Sequence, residues 1–551
     1  MPILKKAFAI TIFLLLLPSA AAASSAAEAL QRISDLYVDM QRPGNGGRSD
    51  LSATGFGAEI LEKEAMLQSL LSIEPAGLDS GQDIDRRLLI GILRSDINTA
   101  RTLRRWENDP ALYLPSSRLG QLLESVAADN NPGNRQPLLA LLDRLPVGLS
   151  HGRANLKRPP ERFTRAAIFQ VENSLESLDQ GIEGLAGLTE PEQASAARAL
   201  DSLTAYLVFL KEDLLPRSDG DWALGRDAYD FVLRERWHMD ADADQIHQRG
   251  LQAFEETEVL AQQTAERMQA GKHWTEVYES LKDSHPQAAD LKQAYQRQMD
   301  LARDFVKKHS ILTLPDGERV VTLDTPPAMR RSSPFGTFDM VSPFDDGLEG
   351  RLMLTPIEDW MSPEQQEQRL RSHHTAWIPV IAVHEAYPGH HAHGIKMKEN
   401  PNMLRRVVNE PIFSEGWGLF TEELMYELGF LKGDDVRLTQ LRNRLWRAAR
   451  VILDSGLHTG RMSFDDAVQF LVEKVRFEPF AAELEVGMYI REPTYVLGYL
   501  IGMQEIAAIR EDFIARHGEP QPPSHFYDQL LSIGSIPPAL AREELFGKPG
   551  K

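Results

Sequence analysis

Apolar residues recur at three- and four-residue steps along most of the chain. Between residues 193 and 216 the repeating positions are Leu200, Leu203, Leu207, Leu210 and Leu214. Such steps place side chains on one face of an α-helix. The same pattern predicts helices at 26–40, 83–106, 161–179, 242–268, 286–309, 433–457, 463–473, 477–491 and 494–516. We therefore expect a mostly α-helical protein.

The helical period disappears between residues 311 and 356. Residues 319–323 and 351–354 have the composition of short strands and are flanked by turn-rich segments. They predict a small β-sheet, which is either an ordinary surface hairpin or an edge on which an extended peptide can pair. We therefore divide the chain into an N-terminal helical region, 24–310, and a catalytic region, 311–551.

The N-terminus has the order of a secretory signal peptide. Lys5 and Lys6 precede the apolar run 7–17, and small residues follow at 19–23. The run is too short for a membrane-spanning helix, which needs about 20 residues. We expect residues 1–23 to be a signal peptide, and the mature protein to be periplasmic or secreted without an integral membrane segment.

The amino-acid composition limits the partners and the metal ligands that this chain can use. The 80 acidic and 60 basic residues give a formal net charge of −20, which argues against nucleic acid as a partner because phosphate binding needs clustered Lys and Arg. The chain contains no cysteine, which excludes disulfides, thiolate catalysis, cysteine-ligated metals and lipid attachment through cysteine. Any metal site must therefore use His, Asp and Glu.

The strongest chemical signal is the segment 384–391, which reads His-Glu-Ala-Tyr-Pro-Gly-His-His and follows an apolar stretch at 377–383. In the zinc motif His-Glu-x-x-His, two histidines four residues apart share one helix face. Pro388 stands where the second histidine of that motif belongs. The chain therefore lacks the ordinary motif, and the second ligand must come from another position.

An unbroken helix cannot supply that ligand. Six steps of roughly 100° put His390 on the wrong face, and seven steps put His391 about 10.5 Å along the axis. Pro388 cannot continue the helix, and Gly389 permits unusual backbone angles. If two residues bulge out here, His390 takes the place of the second histidine. His391 remains the alternative ligand.

A third ligand comes from a second helical pattern. Glu415 lies 31 residues after His384 and would complete a His2Glu site with one position open for water. Glu385 would then stand beside that water as the general base. Glu422 shares a helix face with Glu415, so it is either a hydrogen-bond partner of a ligating histidine or a surface acid.

These two motifs, His-Glu-x-Tyr-Pro-Gly-His-His and Phe-x-Glu-Gly-Trp, are similar to the signature of a bacterial family, domain of unknown function 885. That family distantly resembles the helical zinc peptidases: Taq-type carboxypeptidase, thimet oligopeptidase and angiotensin-converting enzyme. The resemblance implies a large, two-lobed, zincin-like helical fold with one Zn²⁺ and short or unfolded peptides as substrates. The Gly389-His390 pair matches the Gly-His end of the peptidase motif.

Many members of that family also carry Pro-Gly-Gln-Ala-x-Ser-Tyr near the C-terminus. Here residues 493–499 read Pro-Thr-Tyr-Val-Leu-Gly-Tyr, so that Pro493 and Tyr499 match. The family's Gly, Gln and Ser are replaced by Thr494, Tyr495 and Gly498.

Tyr499 could donate a hydrogen bond to the oxyanion that forms when water attacks a peptide carbonyl. Tyr495 and Tyr489 are alternatives for that role, and packing in the core is the structural alternative for all three. Arg491 could bind a substrate carboxylate.

The sequence therefore favours a zinc metallopeptidase. Two other interpretations stay open: an exported helical binding or scaffold protein with a degenerate, metal-free site, and a zinc amidase or esterase. The same zinc-water chemistry serves peptide, amide and ester bonds, so sequence does not separate these substrates.

Overall fold

The fold was analysed in a computed structural model, in which residues 25–42, 50–183, 188–326, 330, 336–358 and 360–548 are described. The expected signal peptide, residues 1–23, lies outside this part of the chain. The described residues are mostly helical, as the sequence pattern predicts, and they include one small sheet.

The helices before the sheet are α1 (Ala26–Gln41), α2 (Ala53–Leu71), α3 (Ser80–Leu103), α4 (Arg105–Asn108), α5 (Ser116–Ala128), α6 (Pro132–Asn155), α7 (Glu161–Glu183), α8 (Glu190–Val208), α9 (Arg226–Glu235), α10 (Ala243–Met268), α11 (Trp274–Leu281) and α12 (Leu291–Lys308). Short 3₁₀ segments lie at Pro75–Gly77, Pro110–Tyr113, Leu215–Arg217 and Ala288–Asp290. A π-helical segment, Phe209–Leu214, continues α8.

The sheet has three strands, β1 (Arg319–Asp324), β2 (Gly336–Asp339) and β3 (Glu349–Leu354), in the order β1-β3-β2. β3 pairs in parallel with β1, where Val321 lies opposite Arg351, and antiparallel with β2. The two strands predicted from the sequence correspond to β1 and β3. β2 escaped prediction because its four residues are too few to show an alternating pattern.

The helices after the sheet are α13 (Pro363–Arg371), α14 (Ile378–Glu385), α15 (His390–Met397), α16 (Met403–Val407), α17 (Pro411–Glu427), α18 (Asp434–His458), α19 (Phe464–Val475), α20 (Pro479–Arg491), α21 (Leu497–His517), α22 (Ser524–Ser532) and α23 (Pro538–Phe546). Side-chain caps fix several of these boundaries. Ser463 caps α19, and Asp242 in the first half caps α10, each within a capping box.

The buried apolar residues form two hydrophobic cores. The smaller core lies between Phe56 and Leu214 and is formed largely by α5 to α8. The larger core runs from Leu30 to Ala541 and joins α1, α3 and α9–α12 to the helices that follow the sheet. Residues on both sides of position 310 therefore share one core, which holds the motif-bearing helices in place.

Helices α17 and α21 approach each other more closely than helices with larger side chains allow. A Cβ atom at Gly416 would lie 2.6 Å from the Cα of Gly502. This contact brings the first turn of α21 next to Glu415 on α17. Among the described helices, none is both long enough and apolar enough to span a bilayer.

Candidate metal centre

The chain leaves one helix and starts another within the His-Glu motif. α14 ends at Glu385 and α15 begins at His390. Pro388 lies in the turn between them, and a side chain at Gly389 would overlap the carbonyl oxygen of His384. The sequence predicts that two residues bulge out here. The backbone hydrogen bonds across the turn agree with this expectation: Gly389 N–H donates to the carbonyl oxygen of Val383 and Ala392 N–H to that of Ala386, so each bond spans six residues instead of four. Pro388 interrupts the helix at this point.

This break brings together His384, His390 and Glu415. The Nε2 atoms of His384 and His390 lie 3.7 and 3.3 Å from Oε2 of Glu415, and one donor atom from each residue lies within 4.8 Å of the others. Four donors about 2.0–2.1 Å from a tetrahedral zinc ion are separated by about 3.3 Å. The cluster could therefore hold one metal ion, and its donors fit zinc.

The ring of His384 is held in one orientation. Its Nδ1 donates a hydrogen bond to Oε1 of Glu422 over 2.9 Å, and Glu422 is fully buried on α17. Because the carboxylate accepts at Nδ1, Nε2 is the ring nitrogen that faces Glu415 and His390. Glu422 is thus the hydrogen-bond partner of a candidate ligand. This is one of the two roles that the sequence left open for it.

The buried charges of the cluster shift the pKa values of their neighbours. Burial alone would lower the pKa of His384, but hydrogen bonds to Glu415 and Glu422 raise it to about 10. Burial would raise the pKa of Glu415, but the two histidines hold it well below its ordinary value. The centre therefore carries excess negative charge and favours a cation.

Glu385 is the last residue of α14 and is half-buried. Its charge contributes to the raised pKa values of His384 and Tyr295, so the carboxylate lies close to both. Among the described residues it forms no hydrogen bond or ion pair with a side chain. A half-buried carboxylate beside a candidate metal ligand, with no side-chain partner among the described residues, is able to accept a proton from water.

Two tyrosines border the cluster, Tyr495 from the turn before α21 and Tyr499 from its first turn. Tyr495 donates a hydrogen bond to Oε1 of Glu415 over 3.0 Å. The ring of Tyr499 stacks on His384 with a centroid separation of 6.3 Å. Burial and the charge of Glu415 raise the pKa of both hydroxyls, so both remain protonated donors. Tyr489 instead donates to Glu485 and is buried in the core.

Two candidates from the sequence lie outside the cluster. Nε2 of His391 donates to Oε2 of Glu318 over 3.1 Å, which turns the ring toward the sheet and away from His384. Arg491 forms an ion pair with Asp109 at 3.2 Å. Because Asp109 neutralises its charge, Arg491 is not a free partner for a substrate carboxylate.

The structure also shows residues that the sequence analysis missed. Glu318 binds His391, and nothing in its sequence context singles it out. Arg442, Arg447 and Arg450 are buried on α18 among apolar neighbours. In the sequence these arginines alternate with Leu445, Trp446, Ala448 and Ala449, which was a readable signal, since arginine is almost never fully buried without a partner.

Comparison with known proteins agrees with the fold and adds no activity. A family profile described as "Bacterial protein of unknown function (DUF885)" matches residues 37–545. A search of curated proteins finds no match.

Two solved structures share the fold. One is a candidate lipoprotein of unknown function from Shewanella oneidensis, with 19% identity, a TM-score of 0.73, and coverage of 96% of this chain and 100% of that one. The other is a candidate lipoprotein from Colwellia psychrerythraea, with 18% identity, a TM-score of 0.74, and coverage of 94% and 98%.

Proposed function

The chain belongs to the DUF885 family of bacterial proteins of unknown function, and from that premise we propose that it is a zinc-dependent metallopeptidase. The observation that carries the proposal is the convergence of His384, His390 and Glu415 at separations that suit tetrahedral zinc. Glu422 behind His384 and Glu385 beside it supply the partners that such a site needs.

Each residue has a distinct role in this proposal. His384, His390 and Glu415 hold the ion, which when bound lowers the pKa of a water molecule to about 7 and polarises the substrate carbonyl. Glu385 accepts the proton of the attacking water and returns it to the leaving amine. Tyr499 or Tyr495 donates a hydrogen bond to the oxygen on which negative charge develops.

Peptides are the proposed substrates. The support is the distant resemblance of the motif pair to helical zinc peptidases, in which a Gly-His ligand and a Glu on a following helix complete the site. The fold would then be zincin-like, with the small sheet beside the metal centre. An amidase or esterase is the alternative that uses the same residues, and substrate screening separates the two.

We also propose that the protein acts outside the cytoplasm. Lys5, Lys6 and the apolar run 7–17 have the order of a signal peptide. The structural neighbours from Shewanella oneidensis and Colwellia psychrerythraea are candidate lipoproteins, a class of exported protein. Cell fractionation that finds the protein in the cytoplasm at full length would contradict this localisation.

The proposed activity is tested with Glu385→Gln. The zinc-loaded wild type is assayed against a mixture of unstructured peptides by mass spectrometry, beside this variant and Glu364→Gln, which alters an exposed acid on α13. Loss of the general base should reduce turnover by about 10²–10⁴-fold. Zinc content should stay unchanged, since Glu385 is not a proposed ligand.

The two possible failures of this test have different meanings. Wild-type turnover by Glu385→Gln would show that another group is the base. A zinc-loaded wild type that cleaves no peptide in the mixture would contradict the peptidase function itself.

A further inference from the structure

Helix α18 carries buried positive charge beside the metal centre. Arg442 and Arg447 are 8% and 4% exposed. No carboxylate of the described residues forms an ion pair with either guanidinium, and the Nε atom of each is buried without a hydrogen-bond partner there. The third arginine of the group, Arg450, differs because Glu485 lies 3.2 Å from it.

The neighbouring side chains do not neutralise this charge. Within the described part of the chain, Arg447 makes a single long hydrogen bond, of 3.4 Å, to the carbonyl oxygen of Asn443. Asn443 is itself fully buried one turn earlier, and both of its side-chain polar atoms lack partners among the described residues. Burial lowers the pKa of Arg447, and the charge of Glu422 offsets this effect only in part.

Aromatic rings connect these arginines to the metal centre. The guanidinium carbon of Arg447 lies 4.4 Å from the ring centre of Trp446 and 5.6 Å from that of Tyr499. Tyr499 in turn stacks on His384. Trp446 and Tyr499 are half-buried, so they are parts of this group that reach solvent.

Arg442 extends the group along the same helix. Its guanidinium carbon lies 5.7 Å from the ring centre of Trp446 and 4.8 Å from that of Phe477. An unbroken run of aromatic and guanidinium groups therefore leads from His384 through Tyr499, Arg447 and Trp446 to Arg442.

A buried guanidinium without a counter-ion destabilises the folded protein. Buried charges are usually paired or bound to metals. Two unpaired arginines in a protein with a formal net charge of −20 are therefore unexpected on stability alone. An anion that binds during function accounts for them, because it would supply the missing counter-charge.

We propose that Arg447 and Arg442 form a subsite that binds a carboxylate of the substrate. This proposal rests on the proposed function and names its substrate class: peptides with a carboxylate near the scissile bond. A guanidinium is suited to this task, since its planar donors match both oxygens of a carboxylate.

The reach of the subsite limits where that carboxylate lies. Taken end to end, the separations of 5.6 Å and 6.3 Å through Tyr499 place the guanidinium carbon of Arg447 at most about 12 Å from the His384 ring. An extended peptide advances about 3.3–3.6 Å per residue. The carboxylate therefore belongs within about three residues of the scissile bond, as a chain terminus or as an Asp or Glu side chain.

The experiment compares matched peptides with the zinc-loaded wild type. One peptide has a free C-terminus, the second has a C-terminal amide, and two further amidated peptides carry Glu or Gln near the cleaved bond. We expect kcat/KM to be higher by at least about tenfold for the peptides that offer a carboxylate. A preference for the free terminus identifies the main-chain carboxylate, and a preference for Glu over Gln identifies a side chain.

The variants Arg447→Met and Arg444→Met test the residue assignment. Arg444 is on the same helix but lies 3.9 Å from Glu423, so it has a counter-ion. Arg447→Met should remove the preference and leave the protein at least as stable as the wild type, because it removes an unpaired buried charge. Arg444→Met should keep the preference.

Equal cleavage of all four peptides by the wild type would overturn the subsite and leave the peptidase function standing. If no peptide is cleaved, the peptidase function fails, and calorimetry with N-acetyl-dialanine and its amide tests the subsite by itself. Binding of the acid alone, lost in Arg447→Met, would support the carboxylate site. Equal affinity for acid and amide would overturn it.

Discussion

At the scale of single residues, negative charge is concentrated around His384. Glu415 faces its Nε2, Glu422 binds its Nδ1, and Glu385 follows it in the chain. In the absence of a metal these carboxylates stabilise a proton on the ring, which raises the pKa of His384 to about 10. A divalent cation held by His384, His390 and Glu415 would take the place of that proton, so metal binding would release protons.

One residue near the cluster has an unfavourable backbone conformation. Thr494 has φ of 68°, in the left-handed region that β-branched residues avoid. Its N–H donates to both carboxylate oxygens of Asp454 at 3.2 Å. This buried contact holds the turn that presents Tyr495 to Glu415.

Replacing Thr494 with Gly should therefore stabilise the protein. Relief of the left-handed strain, about 1–2 kcal/mol, exceeds the extra chain entropy that glycine has when unfolded, so we expect a gain of about 0.5–1 kcal/mol. Urea denaturation measures the change. Thr204→Gly, at an exposed position inside α8, is the control and should destabilise. A similar loss of stability in both variants would show that Thr494 is not strained.

At the scale of elements, the sequence predicts most helices and the interruption within the segment 384–391. The periodicity at 242–268 and 463–473 corresponds closely to α10 and α19. The segment 384–391 was harder to predict than a regular helix, because an interrupted helix has no continuous periodicity in the sequence. His390 was favoured over His391 on helix geometry, and the interruption between α14 and α15 brings Nε2 of His390 to 3.3 Å from Oε2 of Glu415.

The packing of α17 against α21 sets the position of the tyrosines. Because Gly416 and Gly502 face each other with backbone in contact, a methyl group at Gly502 would overlap the carbonyl oxygen of Ile412. Gly502→Ala should cost about 1–3 kcal/mol and reduce turnover by moving Tyr495 and Tyr499 away from Glu415.

The matched control for Gly502→Ala is Gly487→Ala, within α20. An added Cβ at Gly487 meets no atom within 4 Å, so this variant should keep its activity and gain up to about 1 kcal/mol. Urea denaturation and peptide turnover are measured for both. Unchanged stability and turnover in Gly502→Ala would mean that the close contact does not position the tyrosines.

At the scale of the whole molecule, the sequence predicts the class of fold but does not predict which helices pack against each other. Helical periodicity shows that a face is apolar without showing which helix it meets. The division at residue 310 followed the change in pattern along the chain, whereas the larger core joins residues from both sides of it. Long-range contacts such as Glu318 with His391 leave no local signal in the sequence.

Glu318 joins three parts of the molecule. It accepts hydrogen bonds from Arg303 on α12, from Tyr387 in the turn after α14, and from His391 on α15. Burial alone would raise the pKa of Glu318, but these three donors lower it to about 2. The charged carboxylate therefore stabilises the folded protein above about pH 4.5, and this contribution is lost as pH falls toward about 2.

Glu318→Gln tests this linkage. At pH 7 the variant should be less stable than the wild type by about 3 kcal/mol, and the difference should shrink as pH falls from about 4.5 toward 2. Urea denaturation at several pH values measures it, with the exposed Glu364→Gln as the control. A stability difference that does not change with pH would contradict the role assigned to the charge.

The most direct test of the account is the zinc content of the purified protein. Wild type, His390→Ala and His391→Ala are incubated with zinc, desalted and measured by elemental mass spectrometry, with circular dichroism to establish that each is folded. We predict about one zinc ion per chain in the wild type and in His391→Ala, and none in His390→Ala. A wild type without zinc, or zinc lost from folded His391→Ala and kept by His390→Ala, would contradict the proposed centre.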